Sequence, residues 1–389
     1  MSKDTFNEAN YEQAIIELFT QQLGYEYIYG PDIVRDYTEP LFLDRLQQSL
    51  LAINPALPAV AIQEAIDKIR QIDTGSLVQR NEVFTDYLQN GVDVSYFDGK
   101  EQHSACVRLI DYDHPLHNNF VVANQWSIEE HSVRRADIIV FINGLPLVVM
   151  ELKSPSRTET NVSEAYAQLR NYMQEIPSLF VYNAFCVMSD LVTSKAGTIT
   201  SGEDRFMEWK TVDGQTEDNH FANFHVLFCG MFEQERLIEI LRDFICFSKE
   251  EKQSAKILAG YHQFYAVRKA ITSVKEATTT NGKGGVFWHT QGSGKSLSMV
   301  FFAKCLQRAL SSPTIVVITD RTDLDNQLFG QFSKCADFLR QVPVQAKSRK
   351  HLSELLDGIE ANGIFFTTMQ KFEEGAEPQS QRRKIIVVA

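Results

Sequence analysis

Several kinds of protein are excluded by what this sequence lacks. The six cysteines (Cys106, Cys186, Cys229, Cys246, Cys305, Cys335) are scattered, with no Cys-x-x-Cys and no zinc-like pairing with histidine, so they are expected as buried free thiols. No long hydrophobic run is present. The most apolar stretch, Ile138 to Met150, is interrupted by Asn143, Gly144 and Pro146 and falls well short of the ~20 residues a membrane helix needs. The opening segment Met1 to Tyr11 is polar and has no apolar core, so no secretory signal is expected there and the protein is expected to be cytoplasmic, without a membrane partner. Internal repeats and low-complexity tracts are also missing. Basic charge is scarce: a net charge of −12 argues against coating nucleic acid by bulk attraction, although it allows a local DNA groove or a partner that supplies the affinity.

What remains has the balance of a soluble globular protein, 44% hydrophobic and 23% charged over 389 residues, long enough for two or three domains. His114 and His117 lie near Asp111 and Asp113, but a loop of turn-forming residues explains those letters without a metal. From Tyr11 to about Asp190, helical segments flank strongly apolar strands. Residues 191–224 turn polar and rich in Gly, Thr and Asp, which suggests surface strands and loops. Glu233 to Phe247 has apolar residues at helical spacing, and the charged run Ser248 to Gln253 follows. That run predicts a boundary between domains at 1–250 and 251–389. Beyond it the pattern alternates. Helices are predicted at Ile257–Glu276, Lys295–Leu310, Leu324–Phe338 and His351–Glu360, and strands at Gly285–Thr290, Pro313–Thr319, Ile364–Thr368 and Lys384–Ala389. Buried strands alternating with helices predict an α/β fold with a parallel sheet covered on both faces.

The most informative stretch runs from Arg134 to Lys153. Two apolar strands meet at Asn143-Gly144, a strong signal for a tight hairpin. Folding at that turn places Asp137, at the start of the first strand, beside Glu151 at the end of the second. Strand alternation points Glu151 and Lys153 to one face. Two carboxylates and an amine at one sheet edge suit phosphodiester hydrolysis. The carboxylates are candidate Mg²⁺ ligands, and the lysine is a candidate to orient water or steady charge on phosphorus. The same letters also fit an exposed hairpin end with a solvated Glu/Lys pair. The arrangement resembles the catalytic core of the PD-(D/E)xK nuclease superfamily, with Ala136 where that name has Pro. Asn161-Val-Ser-Glu164 looks like a capping box, and on the helix it opens, Gln168 and Tyr172 share a face. This Gln-x-x-x-Tyr pair resembles the signature that follows the lysine in type I restriction enzyme motor subunits and RecB-like nucleases, which implies that both residues support the site. The resemblance also implies a glutamate from an early helix, here Tyr11–Leu23, with Glu12 preferred over Glu17.

A second site is written from Gly284 to Ser296. Gly292 and Gly294 let the backbone of Thr290-Gln-Gly-Ser-Gly-Lys-Ser296 curl around phosphate. Lys295 is placed to reach the β and γ phosphates of ATP, and the Ser296 hydroxyl to ligate Mg²⁺. His289 stands where the strict motif has Gly, which matches the helicase form of the loop, beginning at Thr290 and including Gln291 and Ser293. Gly260-Tyr-His-Gln263 upstream resembles the superfamily 2 motif whose glutamine reads adenine. Val316–Asp325 and Phe366–Gln370 resemble the next two motifs, in order. The resemblance implies that the final strand leads into an Asp-Glu-Ala-His box, which this sequence does not contain. A RecA-like domain truncated before that box is therefore expected, and this fragment is not expected to turn ATP over by itself.

Taken together, Tyr11 to Ala389 resembles the R subunit of a type I restriction–modification enzyme. The resemblance implies a PD-(D/E)xK-type nuclease domain followed by an incomplete RecA-like domain, and ATP-driven translocation of double-stranded DNA coupled to Mg²⁺-dependent cleavage away from the recognition site. It also implies modification and specificity subunits as partners. Two other classes fit the same letters: a superfamily 2 helicase or remodeller whose nuclease-like domain is structural, and a non-enzymatic nucleotide-binding module.

Overall fold

The computed structural model describes residues 8–153, 162–190, 192–217, 224–359, 361–371 and 378–389. The chain divides into two compact units: residues 1–245 with 256–261, and residues 246–255 with 262–389. The fold is mixed α/β. Among the described residues no helix is long and apolar enough to cross a membrane.

The first unit opens with α1 (Glu8–Gln21) and β1 (Glu26–Tyr29), followed by α2 (Leu43–Ile53), α3 (Ala59–Arg70) and α4 (Leu77–Asn90). A hairpin of β2 (Val92–Phe97) and β3 (Gln102–Val107) leads to the central strands β4 (Phe120–Glu129), β5 (Val133–Ile142) and β6 (Leu145–Leu152). Next come α5 (Val162–Glu175), α6 (Pro177–Val181), β7 (Phe185–Ser189), β8 (Ser194–Gly197), β9 (Met207–Glu208), α7 (Phe224–Phe232) and α8 (Gln234–Asp243). The sheet order is β1-β4-β5-β6-β7-β8-β9. β1 runs parallel to β4 and β6 parallel to β7, and the other pairings are antiparallel. All of β6 is buried, as expected of a strand covered on both faces; α1 and α5 both pack on it.

The β5–β6 turn fixes this sheet. Asn143 and Gly144 take φ of +53° and +81°, the left-handed values a two-residue hairpin turn requires. The Asn143 side chain is fully buried. Its Nδ2 donates to Leu109 O at 2.9 Å and to Asn118 Oδ1 at 2.7 Å, and its Oδ1 accepts from Asn119 N at 2.8 Å. Gly144 abuts the start of α2. Its carbonyl accepts from Phe42 N at 2.9 Å, and a Cβ there would sit 2.5 Å from Leu46 N and 2.6 Å from Phe42 O.

The chain crosses between the units in two short strands, β10 (Ile245–Ser248) and β11 (Ala255–Leu258). Lys256 is buried, and its Nζ donates to Asn81 Oδ1 at 2.8 Å and to Asn183 O at 2.7 Å. Burial lowers its pKa to about 7.

The second unit contains α9 (Tyr261–Thr279) apart from its first residue, α10 (Lys295–Ala309), β12 (Thr314–Thr319), α11 (Thr322–Lys334), α12 (Ala336–Leu339), β13 (Val344–Gln345), α13 (Arg349–Asp357), β14 (Ile364–Thr368) and β15 (Ile385–Val388). Its sheet is parallel throughout, in the order β13-β14-β12-β15.

Several elements differ from the sequence expectation. Residues 285–290 form no strand; Val286 and Trp288 are 95% and 78% exposed, and the segment joins no ladder among the described residues. The helix predicted from Ile257 starts at Tyr261, because Ala255–Leu258 pairs as strand and Gly260 intervenes. Apolar spacing through Phe247 suggested one helix, but α8 stops at Asp243 and Ile245 begins β10. The predicted helix Leu324–Phe338 is broken at Cys335. The polar segment 191–224 carries buried Ile199, Phe206 and Trp209. The cap expected at Asn161 lies outside the described residues.

Gly144→Ala is expected to destabilise the protein by about 1–3 kcal/mol, because the added methyl meets backbone on two sides at a positive φ. Urea unfolding measures this, and an unchanged midpoint would contradict the role given to the turn.

Candidate functional site

Antiparallel pairing puts Ile138 opposite Met150, so the next step along the ladder sets Asp137 beside Glu151. Backbone and side chain then hold the two acids. Asp137 Oδ2 accepts from Leu152 N at 2.8 Å, and Glu151 Oε1 accepts from Lys153 Nζ at 2.6 Å. Lys153 also donates to Leu152 O at 3.1 Å, while its own backbone N–H bonds Ser189 O at 2.9 Å. Glu151 is 3% exposed, and its buried Oε2 has no hydrogen-bond partner.

These groups titrate together. Burial first, then the charge of Glu151, raises Asp137 well above the usual carboxylate range. Burial also raises Glu151, against the pull of Lys153. Burial opposes the charge on Lys153, but Glu151 beside it outweighs that and the ammonium pKa goes up. Two nearby carboxylates sharing one lysine leave an excess of negative charge in a poorly solvated place. The orphaned Oε2 and this acid pair fit a hard divalent cation, for which carboxylate oxygens are the natural donors.

The two residues of the Gln-x-x-x-Tyr pair lie on α5. Tyr172 is buried, and its hydroxyl donates to Arg135 O at 3.0 Å. Burial, with the charge of Glu151, raises its pKa, and Gln168 one turn earlier interacts with the hydroxyl. Tyr172 is thus brought to the acid pair, and Gln168 to Tyr172.

The early helix carries three glutamates, Glu8, Glu12 and Glu17. Glu12 is buried and accepts hydrogen bonds from Asn124 Nδ2 and, at 2.7 Å, Gln125 Nε2. Gln125 takes a φ of +53° where β4 passes Asp137, an uncommon conformation for a non-glycine residue. Glu17 is exposed and pairs with Gln13 at 3.1 Å. The α1 glutamate whose charge acts on Asp137, Glu151 and Lys153 is Glu8. Sequence reasoning missed it, and also missed the buried hydroxyl chain of Tyr11 to Ser189 (2.6 Å) and Ser189 to Ser194 (2.5 Å) that braces the strand end next to Lys153. Helical spacing held a signal for Glu8, since it lies three residues from Tyr11 and four from Glu12, on one face.

In the second unit, Thr290 to Ser296 curls before α10. Gly292 and Gly294 take φ of +84° and +76°, and a Cβ on Gly294 would meet Gln263 Nε2 at 2.8 Å. Gln263, buried on α9, donates to Gly294 O at 3.1 Å, and His262 Nε2 lies 3.1 Å from Ser293 O. Thr290, Gln291 and Lys295 are exposed, and Ser296 half-buried at the helix start. Lys295 Nζ folds back on His289 O at 2.9 Å, and buried Ser293 Oγ has no hydrogen-bond partner. The strand ends beyond the loop also converge: Thr319 pairs with Thr368, and Gln370 Nε2 donates to Asp320 O. Carboxyl ends of parallel strands are where open α/β sheets bind ligands.

Comparison with known proteins gives two family matches. A model described as the N terminus of the type I restriction enzyme R protein matches residues 5–205, and one described as a SWI2/SNF2 ATPase matches residues 262–389. The chain is 39% identical to the type I restriction enzyme HindI endonuclease subunit of Haemophilus influenzae, over 98% of this chain and 38% of that protein. It is 32% identical to the putative MjaIXP endonuclease subunit of Methanocaldococcus jannaschii, over 95% of this chain and 38% of that protein. A Staphylococcus aureus relative, the SauCOLORF180P endonuclease subunit, is 30% identical over 56% of this chain and 23% of its own length. The chain therefore spans 38% of the length of the first two relatives.

The raised pKa of Asp137 gives a pH dependence with a definite sign. The folded state holds its proton above the range where the unfolded chain has released it, so this stability is present in acid and lost as pH rises. Without divalent ions, Asp137→Asn is expected to gain in melting temperature relative to the unaltered protein as pH rises above about 4, the unfolded carboxylate value. Mg²⁺ is expected to raise the melting temperature of the unaltered protein only. A pH-independent difference would contradict the coupled acid pair.

Proposed function

The chain belongs to the type I restriction enzyme R protein family, and from that premise we propose that its first unit is a PD-(D/E)xK-type nuclease and its second a RecA-like ATP-binding domain of a DNA translocase. The observation that carries the nuclease reading is the convergence of Asp137, Glu151 and Lys153 at one buried sheet end, with an unpartnered Glu151 oxygen. Asp137 and Glu151 would hold Mg²⁺. When bound, the ion supplies Lewis-acid polarisation of the scissile phosphate and a more acidic water.

The chain's own residues divide the remaining work. Lys153, held by Glu151 and by the Leu152 carbonyl, steadies negative charge building on phosphorus. Tyr172, joined to Gln168 on α5 and to the Arg135 carbonyl, stands beside the Glu151 carboxylate. Glu8 adds acidity on the α1 side, whereas Glu12 acts through Asn124 and Gln125 to position β4 against Asp137. In the second unit the backbone from Gln291 to Ser296 would cradle phosphates, Lys295, now on His289 O, would hold the β and γ phosphates, and Ser296 would hold Mg²⁺. Gln263, already bonded to the loop, contacts the adenine edge. The substrate is double-stranded DNA, the fuel ATP, and the partners modification and specificity subunits. An acidic chain that takes its DNA affinity from partners accords with the net charge of −12.

Glu151→Ala in the complete subunit, assembled with its partners, is expected to remove most DNA cleavage while ATP hydrolysis persists. Lys295→Ala is expected to abolish ATP hydrolysis and the cleavage that depends on it. Full cutting by the Glu151 variant would overturn the nuclease assignment and favour a translocase whose first unit is structural.

A further inference from the structure

We infer that Asp111, His114 and His117 form a binding site for a zinc-class divalent cation, separate from the Asp137–Glu151 pair. The three residues lie on the connection between β3 and β4, with His117 closing a short 3₁₀ turn, Pro115–His117. Their ligand-capable atoms all fall within 4.8 Å of one another.

The aspartate is already oriented for this. Its Oδ1 accepts from the backbone N–H groups of Asp113 (3.1 Å) and His114 (2.9 Å). That turn leaves Oδ2, on a side chain nine-tenths buried, facing Nδ1 of His117 at 3.4 Å and Nδ1 of His114 at 3.6 Å. Both separations are longer than a good hydrogen bond, which runs about 2.7–3.2 Å. They match another distance. Zinc bonds to imidazole nitrogen and carboxylate oxygen are about 2.0–2.2 Å, so ligand atoms at the corners of a tetrahedron lie roughly 3.4 Å apart. Two edges of such a tetrahedron are therefore set. The two imidazoles stack 4.9 Å apart, and each side chain is about two-thirds exposed. Both rings are exposed, and turning them out of the stack would aim the two nitrogens at one point, close the third edge and leave the fourth position for water.

The loop beneath is cross-tied by hydrogen bonds. Asn118 ties the loop together, with its Oδ1 accepting from Asp111 N at 2.8 Å and its Nδ2 donating to Asp111 O and Pro115 O at 2.8 Å. The same Oδ1 accepts from Asn143 in the β5–β6 turn. A cation here would clamp this loop onto the hairpin turn. That turn lies at the opposite end of β6 from Glu151, roughly 20 Å away by strand rise. The turn chemistry that explains these letters and the metal geometry use the same residues without conflict. Two nitrogen donors select zinc-class ions over Mg²⁺, which takes oxygen ligands.

Zn²⁺ titration of the whole 389-residue chain against a chromophoric chelator, with Mg²⁺ in excess, tests the assignment. A one-equivalent step is expected that persists in the double variant Asp137→Asn/Glu151→Gln. It is expected to weaken at least about tenfold in His117→Ala and in Asp111→Asn. The exposed imidazole makes His117→Ala safe for folding, which circular dichroism checks, and Co²⁺ in place of Zn²⁺ reports histidine ligation by its visible absorption. Equal Zn²⁺ affinity in the unaltered chain and both site variants would overturn the proposal, as would loss of the step in the Asp137/Glu151 variant alone.

Discussion

The mutual repulsion of Asp137 and Glu151 is the constraint on which the first unit's site depends. Both acids carry raised pKa values, Asp137 through burial and the charge of Glu151, and Glu151 through burial against the pull of the one lysine beside it. Such a pair persists only if the backbone leaves it no escape. Here β5 and β6 are joined by a two-residue turn whose glycine is wedged against α2, and β6 is buried along its whole length. A slip of one residue would turn every side chain of β6 to the other face. The apolar packing of that strand therefore also aims the carboxylates.

The surrounding elements answer to the same demand. α5 presents Tyr172 to Glu151 and Gln168 to Tyr172, and β7 receives the Lys153 backbone through Ser189. α1 supplies Glu8 from the solvent side and commits Glu12 to Asn124 and Gln125. The second unit uses a different device. Glycines at positive φ and a buried glutamine hold the loop before α10, and Lys295 rests on a carbonyl in place of a phosphate.

The hairpin was legible because its signals are local. Asn-Gly between two apolar strands has one good conformation, but counting from that turn alone pairs Asp137 with Met150; the register shift between Val140 and Phe141 is what sets Asp137 opposite Glu151. The glycine-rich loop was legible for the same reason. Glu8 was hidden because a glutamate near a helix start looks like any solvated acid until the sheet beneath it is known. The segment 285–290 looked like a strand from its composition, but a strand exists only where a neighbour completes its ladder, and no alternation of residues reveals that neighbour. The helix boundaries near residues 244 and 260 failed similarly: short apolar runs suit helix and strand equally, and only pairing decides.

The claim that Asp137 and Glu151 form a metal-binding pair is tested most directly by crystals soaked in Mn²⁺, a scatterer with Mg²⁺-like oxygen preference. Anomalous density is expected about 2.1 Å from a carboxylate oxygen of each residue, with Glu151 Oε2 taking the ion. Refined density with both acids unliganded, and Glu151 Oε2 satisfied instead by Lys153 or Tyr172, would contradict the account.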